Sequence, residues 1–198
     1  MKGNALKSYA KKSAVLQMMR VDGRQWLGVR NACYPMDGYP SMNEETLLTV
    51  LEFDEKKRKE HTVQMRLDLP EEYQRLMEDA RADEQPNVVM TDLDISLPLA
   101  GCYRLVYTPE GSRWIDASAL KPLDDVLERC TFHYRKGGSL TVVAVMLGMQ
   151  NVGLLSCTKL WVNELTVATL KRAVEAAEAA LRETRQERGG EQIRMGDE

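Results

Sequence analysis

Residues 112–160 read SRWIDASALKPLDDVLERCTFHYRKGGSLTVVAVMLGMQNVGLLSCTKL, and the order of patterns along them sets the expected fold class. Leu120, Leu123, Val126 and Leu127 recur at steps of three and four, which predicts an amphipathic helix with Asp124, Asp125, Glu128 and Arg129 toward water. Pro122 fits a first helical turn, where its missing N–H costs nothing. TFHYR then alternates weakly, whereas LTVVAVML is apolar on both faces and predicts a strand inside a sheet. Gly148, Gln150 and Asn151 interrupt the run before VGLLSC, as a hairpin between apolar strands requires. A sheet apolar on both faces must be covered twice, and helices are the expected cover.

Working outward, CYRLVYT and RWIDAS are two further strands joined by the turn Pro109-Glu110-Gly111, and VVMTDLDISL precedes them as another. ADEQPN is polar and proline-bearing, so a domain boundary is expected near Pro86. Upstream, AVLQMMRV and RQWLGVRN flank Asp22-Gly23, a two-residue hairpin signal. ACYPMDGYP reads as a loop because of Pro35, Asp37, Gly38 and Pro40. Ser41 and Glu44 resemble a capping box before Leu47, Leu48 and Leu51. Residues 53–60 read as a charged connection, HTVQMRLD as a strand with Val63, Met65 and Leu67 inward, and LPEEYQRLMEDAR as a helix. Asn163 is placed to cap a long C-terminal helix whose Val167, Leu170, Val174, Ala177 and Leu181 follow a single packing seam. Residues 189–198 read as a disordered tail.

GRQWLGVRNACYPMD and GSRWIDASALKPLDD share a glycine, then Trp26 or Trp114, then Pro35 or Pro122, then an acidic residue. The match suggests an internal repeat. The expected architecture is therefore α+β: two similar small units of mainly antiparallel sheet with packed helices, residues 1–86 and 87–188.

Composition narrows the function classes. The 198 residues are 29% charged and 43% apolar with a net charge of −3, a soluble globular balance that disfavours indiscriminate nucleic-acid binding yet allows a local basic face. No apolar run nears the roughly 18 residues a membrane helix needs. The basic start MKGNALKSYAKKSA lacks the apolar centre of a signal peptide, so export is not expected. Cys33, Cys102, Cys130 and Cys157 are widely spaced without a C-x-x-C, which predicts reduced thiols and a cytoplasmic protein.

Residues 88–157 resemble the DNA sliding clamps of replication. Thr91, Asp92, Leu93 and Asp94 match a TDLE-type strand segment, and Ile115, Leu120 and Val126 or Leu127 match the clamps' entry into a helix. The long C-terminal helix, the loop at residues 37–40 and the chain length depart from that family, so the resemblance is to a small phage- or mobile-element-encoded relative. It implies a non-catalytic protein that self-associates through sheet edges and encloses duplex DNA, with lysines and arginines on phosphates. The candidates for that contact are Lys11, Lys12, Lys121, Arg129, Lys171 and Arg172. Lys56, Lys57, Arg58 and Lys59 form a further run, flanked by Glu52, Asp54, Glu55 and Glu60, and read as a soluble loop.

Two other classes compete. Tyr34, Met36 and Tyr39 in the proline-bearing loop would anchor a protein partner, making the chain an interaction or accessory module without a nucleic-acid role. Asp92 and Asp94 form a D-x-D that could bring a divalent metal to a small enzyme. Two carboxylates on one strand face are more commonly solvent-facing. Cys130 and His133 give only two of the four ligands a structural zinc needs. No P-loop, GxGxxG, GxSxG or HExxH motif is present, so no cofactor or catalytic residue is expected.

Overall fold

The computed structural model describes residues 2–97, 101–158 and 172. All except Arg172 lie in one unit, Met1–Lys159. It begins with the helix α1 (Gly3–Ala10). β1 (Val15–Val21) and β2 (Arg24–Val29) follow, joined by Asp22 and Gly23 at φ 50° and 78°, the left-handed pair that a type I′ turn demands. A second two-residue turn, Arg30-Asn31, leads into β3 (Ala32–Pro35), with Arg30 also left-handed at φ 50°. Residues 32–35 are thus strand where the prolines point to loop. Pro35 is tolerated because it ends the strand, opposite Trp26.

α2 (Glu44–Val50) starts two residues later than the capping-box reading places it. Asn43 Oδ1 accepts the Thr46 N–H at 2.9 Å, and Thr46 Oγ1 accepts the Asn43 N–H at 2.8 Å. The charged residues expected to be a connection form α3 (Glu55–Glu60), because Asp54 accepts the Lys57 N–H at 2.8 Å and caps it. β4 (Thr62–Arg66) runs parallel to β1, and α4 (Glu71–Met77) follows. β4 is an edge strand, so Val63 packs on the core while Met65 and Leu67 are exposed rather than inward.

β5 (Val89–Leu97), β6 (Gly101–Thr108) and β7 (Gly111–Asp116) form a three-stranded antiparallel sheet. The helix expected from Leu120 onward is instead three 3₁₀ turns at Ala117–Ala119, Lys121–Leu123 and Leu127–Arg129. Pro122 disfavours the α conformation at Lys121, and the apolar steps Leu120, Leu123 and Val126 equal the three-residue repeat of a 3₁₀ turn. β8 (Cys130–Gly137), β9 (Leu140–Leu147) and β10 (Gln150–Ser156) complete the described chain as antiparallel neighbours.

The larger sheet has the order β4-β1-β2-β3-β10-β9-β8. Cys33 pairs with Leu154 and Ala32 with Leu155, so strands from both halves of the sequence share one sheet. The expected boundary near Pro86 lies within the unit Met1–Lys159. The Asn87 and Val88 N–H groups both donate to the Phe132 carbonyl, fastening that segment to β8. The repeat residues sit in different settings: Trp26 is on an interior strand and Trp114 on β7, at an edge of the smaller sheet.

β9 shows how the core divides. Val143 and Val145 join Leu6, Tyr9, Leu16, Leu47, Val106, Ile115 and Leu123 on one face. Val142, Ala144 and Met146 join Met19, Trp26, Leu76, Met77 and Leu154 on the other. The first face is roofed by α1, α2, the 3₁₀ turns and the smaller sheet, and the second by α4. The architecture is α+β with mostly antiparallel sheets. Apart from Arg172, the expected long helix and the tail at residues 189–198 lie outside the described residues.

Candidate functional site

α1 positions a lysine-rich surface. Leu6, Tyr9 and Ala10 are buried, which turns Asn4, Lys7, Ser8 and Lys11, spaced by three and four, to the opposite side. The helix is anchored at its start by the Lys2 N–H on the Pro122 carbonyl at 2.7 Å. Near its end the Tyr9 hydroxyl donates to Asp116 Oδ2 at 3.3 Å. α3 brings Lys57 to the same place. The result is a concavity of ≈ 580 Å³ lined by Asn4, Lys7, Ser8, Lys11, Lys12, Glu52 and Lys57.

Among the described residues, four lysines face one glutamate there. Glu52 contacts the Lys7 ammonium, and this hydrogen bond, aided by the charges of Lys7 and Lys11, holds its carboxyl below the usual range. Lys11, Lys12 and Lys57 have no ion pair among the described residues. Ser8 and Asn4 add uncharged hydrogen-bonding groups beside them. A surface with surplus ammonium groups suits anionic oxygen ligands such as phosphates.

The structure thus joins Lys11 and Lys12 to Lys57, which the sequence pattern assigns to a separate, soluble loop. The overlooked signal is the Asp54 cap, which turns that run into a helix. Lys121 is exposed beside Pro122, at the opposite end of α1 from Lys11 and Lys12, and Arg129 is exposed just before β8. Neither lines the concavity. Arg172 is exposed, and Lys171 lies outside the described residues.

The proposed partner anchors divide. Tyr34 and Met36 are core residues with 0% and 2% exposure, so neither offers a contact surface. The Tyr34 hydroxyl donates to the Ala119 carbonyl, its ring meets Tyr9 edge-on at 6.3 Å, and burial pushes its pKa well up. Tyr39 alone of the three is exposed. Its loop is closed by Arg24 Nε on Asp37 Oδ1 at 2.8 Å and by Gln25 Nε2 on the Pro40 carbonyl at 3.0 Å.

Asp94 of the D-x-D is held by Arg104 on β6, through Nε at 2.7 Å and Nη2 at 2.8 Å. Among the described residues no group of three or more His, Cys, Asp or Glu is placed to hold a metal ion. Cys130 and His133 are three apart on β8 and so point to opposite faces. His133 is buried, its Nδ1 3.4 Å from Glu84 Oε1, and burial lowers its pKa.

No helix among the described residues is long and apolar enough to cross a membrane. No family model, curated protein or solved structure matches the chain.

Proposed function

We propose that the protein is a non-catalytic DNA-associated factor that grips duplex phosphates through the lysine-lined concavity of α1 and α3. The observation that carries this reading is the convergence of Lys11, Lys12 and Lys57 on one surface whose lining carboxylate, Glu52, is engaged by Lys7. Such contacts are independent of base sequence and weaken steeply with salt. Assembly of several copies, as in the clamps that residues 88–157 resemble, would use the outer sides of β4 and β5, which carry no further strand among the described residues.

The test is the salt dependence of duplex binding, read by fluorescence anisotropy. The triple variant Lys11→Gln, Lys12→Gln and Lys57→Gln should lower the slope of log K against log salt by about 2–3, close to 0.9 for each phosphate no longer neutralised. An unchanged slope, or no binding at low salt, overturns the reading. Enclosure adds a second requirement, retention on circular DNA that linearisation releases.

A second reading, a protein-interaction module, is favoured by Met65, Leu67 and Val89. These apolar side chains are 45%, 60% and 63% exposed on or beside β4 and β5. It predicts a discrete oligomer or complex that Met65→Lys dissolves while DNA has no effect.

A further inference from the structure

The α4-covered face of the large sheet holds a second concavity, distinct from the lysine surface. α4 covers the sheet around Met19 and Trp26, and beyond its Leu76 and Met77 a cleft of ≈ 370 Å³ opens. Small-molecule sites typically enclose about 300–1,000 Å³. The cleft runs from Arg66 on β4 to Leu140 on β9, five strand spacings of about 4.8 Å or roughly 24 Å in all, so it is long and shallow.

Its floor and inner wall are mainly apolar, with Met19, Cys33, Val142 and Leu154 below and Tyr73 and Leu76 along the side, while Gln17, Asn31, Ser139 and Ser156 add uncharged polar groups. Gly28 sits next to Gln17, Met19 and Cys33 of that lining without itself lining the cleft. A Cβ there would meet the Met19 Cε at 3.1 Å and the Gln17 Cβ at 3.2 Å. Among the described residues its charged lining side chains are Arg30 and Arg66, with no aspartate or glutamate, in a chain whose net charge is −3. Arg30 holds its place at a left-handed φ of 50°, which a bulky side chain rarely adopts. Burial among apolar neighbours pushes the Cys33 thiol up to about 12, so the floor offers packing and no nucleophile at neutral pH.

We propose that this cleft binds an elongated amphipathic carboxylate of the fatty-acid class. The hydrocarbon chain lies over Met19, Leu154 and Val142, and the carboxylate is received by Arg30 or Arg66. A neutral ligand would leave both guanidinium groups without an anion, and a cationic one would be repelled. Guanidinium–carboxylate recognition also supplies the directional contact that an apolar trough lacks.

The test uses a dansyl-labelled fatty acid as probe, with decanoate, decanol and decyltrimethylammonium as competitors. Decanoate should displace the probe, decanol about tenfold less well, the margin of one charge-assisted hydrogen bond, and the cation least. Arg30→Asn suits the left-handed backbone and removes the charge, and Arg66→Gln does so on an exposed edge. At least one should weaken the probe about tenfold while far-UV circular dichroism stays unchanged. Lys11→Gln should leave the probe unaffected, which separates this site from the proposed DNA surface. Equal displacement by decanol and decanoate, indifference of both arginine variants, or absence of probe binding would each refute it.

Discussion

Along β9, Val143 and Val145 point into one face of the large sheet and Val142, Ala144 and Met146 into the other, yet the two faces are finished differently. The first meets α1, α2, the 3₁₀ turns and a second sheet, and its side chains are almost wholly enclosed. The second meets α4, a helix of seven residues, which leaves the cleft beside it. A doubly apolar strand therefore demands burial on both sides but does not fix how far the cover extends. The face with the fuller roof is expected to carry more of the stability, and the partly covered one keeps surface that a ligand can reach.

The largest effect should come from the enclosed face. Leu155→Ala removes a side chain with 0% exposure and should cost about 2–5 kcal/mol in urea unfolding, because the site cannot collapse around the void. Leu140→Ala, on the open lip and 47% exposed, should stay within about 0.5 kcal/mol. Similar costs for both would erase the distinction between the faces.

Gly137→Ala tests how α4 is held. A Cβ there would lie 2.1 Å from the Glu72 carbonyl oxygen, which is backbone and cannot swing aside. The expected outcome is outward displacement of α4 and a loss of about 1–3 kcal/mol, with faster amide exchange confined to α4 and its neighbours. Exchange that spreads equally to α1 and α2 would mean that the faces do not open separately.

Tyr34→Phe removes the hydroxyl that donates to the Ala119 carbonyl, leaving a buried acceptor unpaired. A loss of about 1–2 kcal/mol in thermal or urea unfolding is expected.

A smaller effect depends on pH. Arg135 hydrogen bonds hold the Glu84 carboxyl below its ordinary value, so its contribution is present above the unfolded carboxylate pKa and is lost as pH falls through the folded one. Burial lowers His133 from 6.5, so its contribution too is full above that value and fades as pH falls below it. The urea midpoint should therefore decline from pH 7 to pH 4. Glu84→Gln should be less stable at pH 7 and converge with the parent in acid. Parallel curves would remove Glu84 from the acid response.

The strands are largely legible in the sequence because period-two patterns and turn chemistry are local. Asp22-Gly23 and the doubly apolar β9 need no knowledge of neighbours. The partner strands are not legible. Nothing in Ala32 or Cys33 announces Leu154 and Leu155, and Pro35 argues for a loop until its place at a strand end is visible. The 3₁₀ turns resemble an α-helix in sequence because steps of three satisfy both helix types. As for the site, Lys11 and Lys12 are legible as a basic end, but Lys57 requires the Asp54 cap to be recognised. Tyr34 and Met36 look available because a proline-bearing loop gives no sign of which way its side chains fold.

The β3–β10 pairing also dictates when the molecule can finish folding. As the chain leaves the ribosome, β1, β2 and β3 can form their hairpins early, but the free side of β3 must wait for residues 154–155 to emerge. β10 acts as the keystone strand, inserted late between partners made at opposite times. A nascent or truncated chain ending before it would expose an unpaired apolar edge and should need chaperone protection until synthesis passes Leu155.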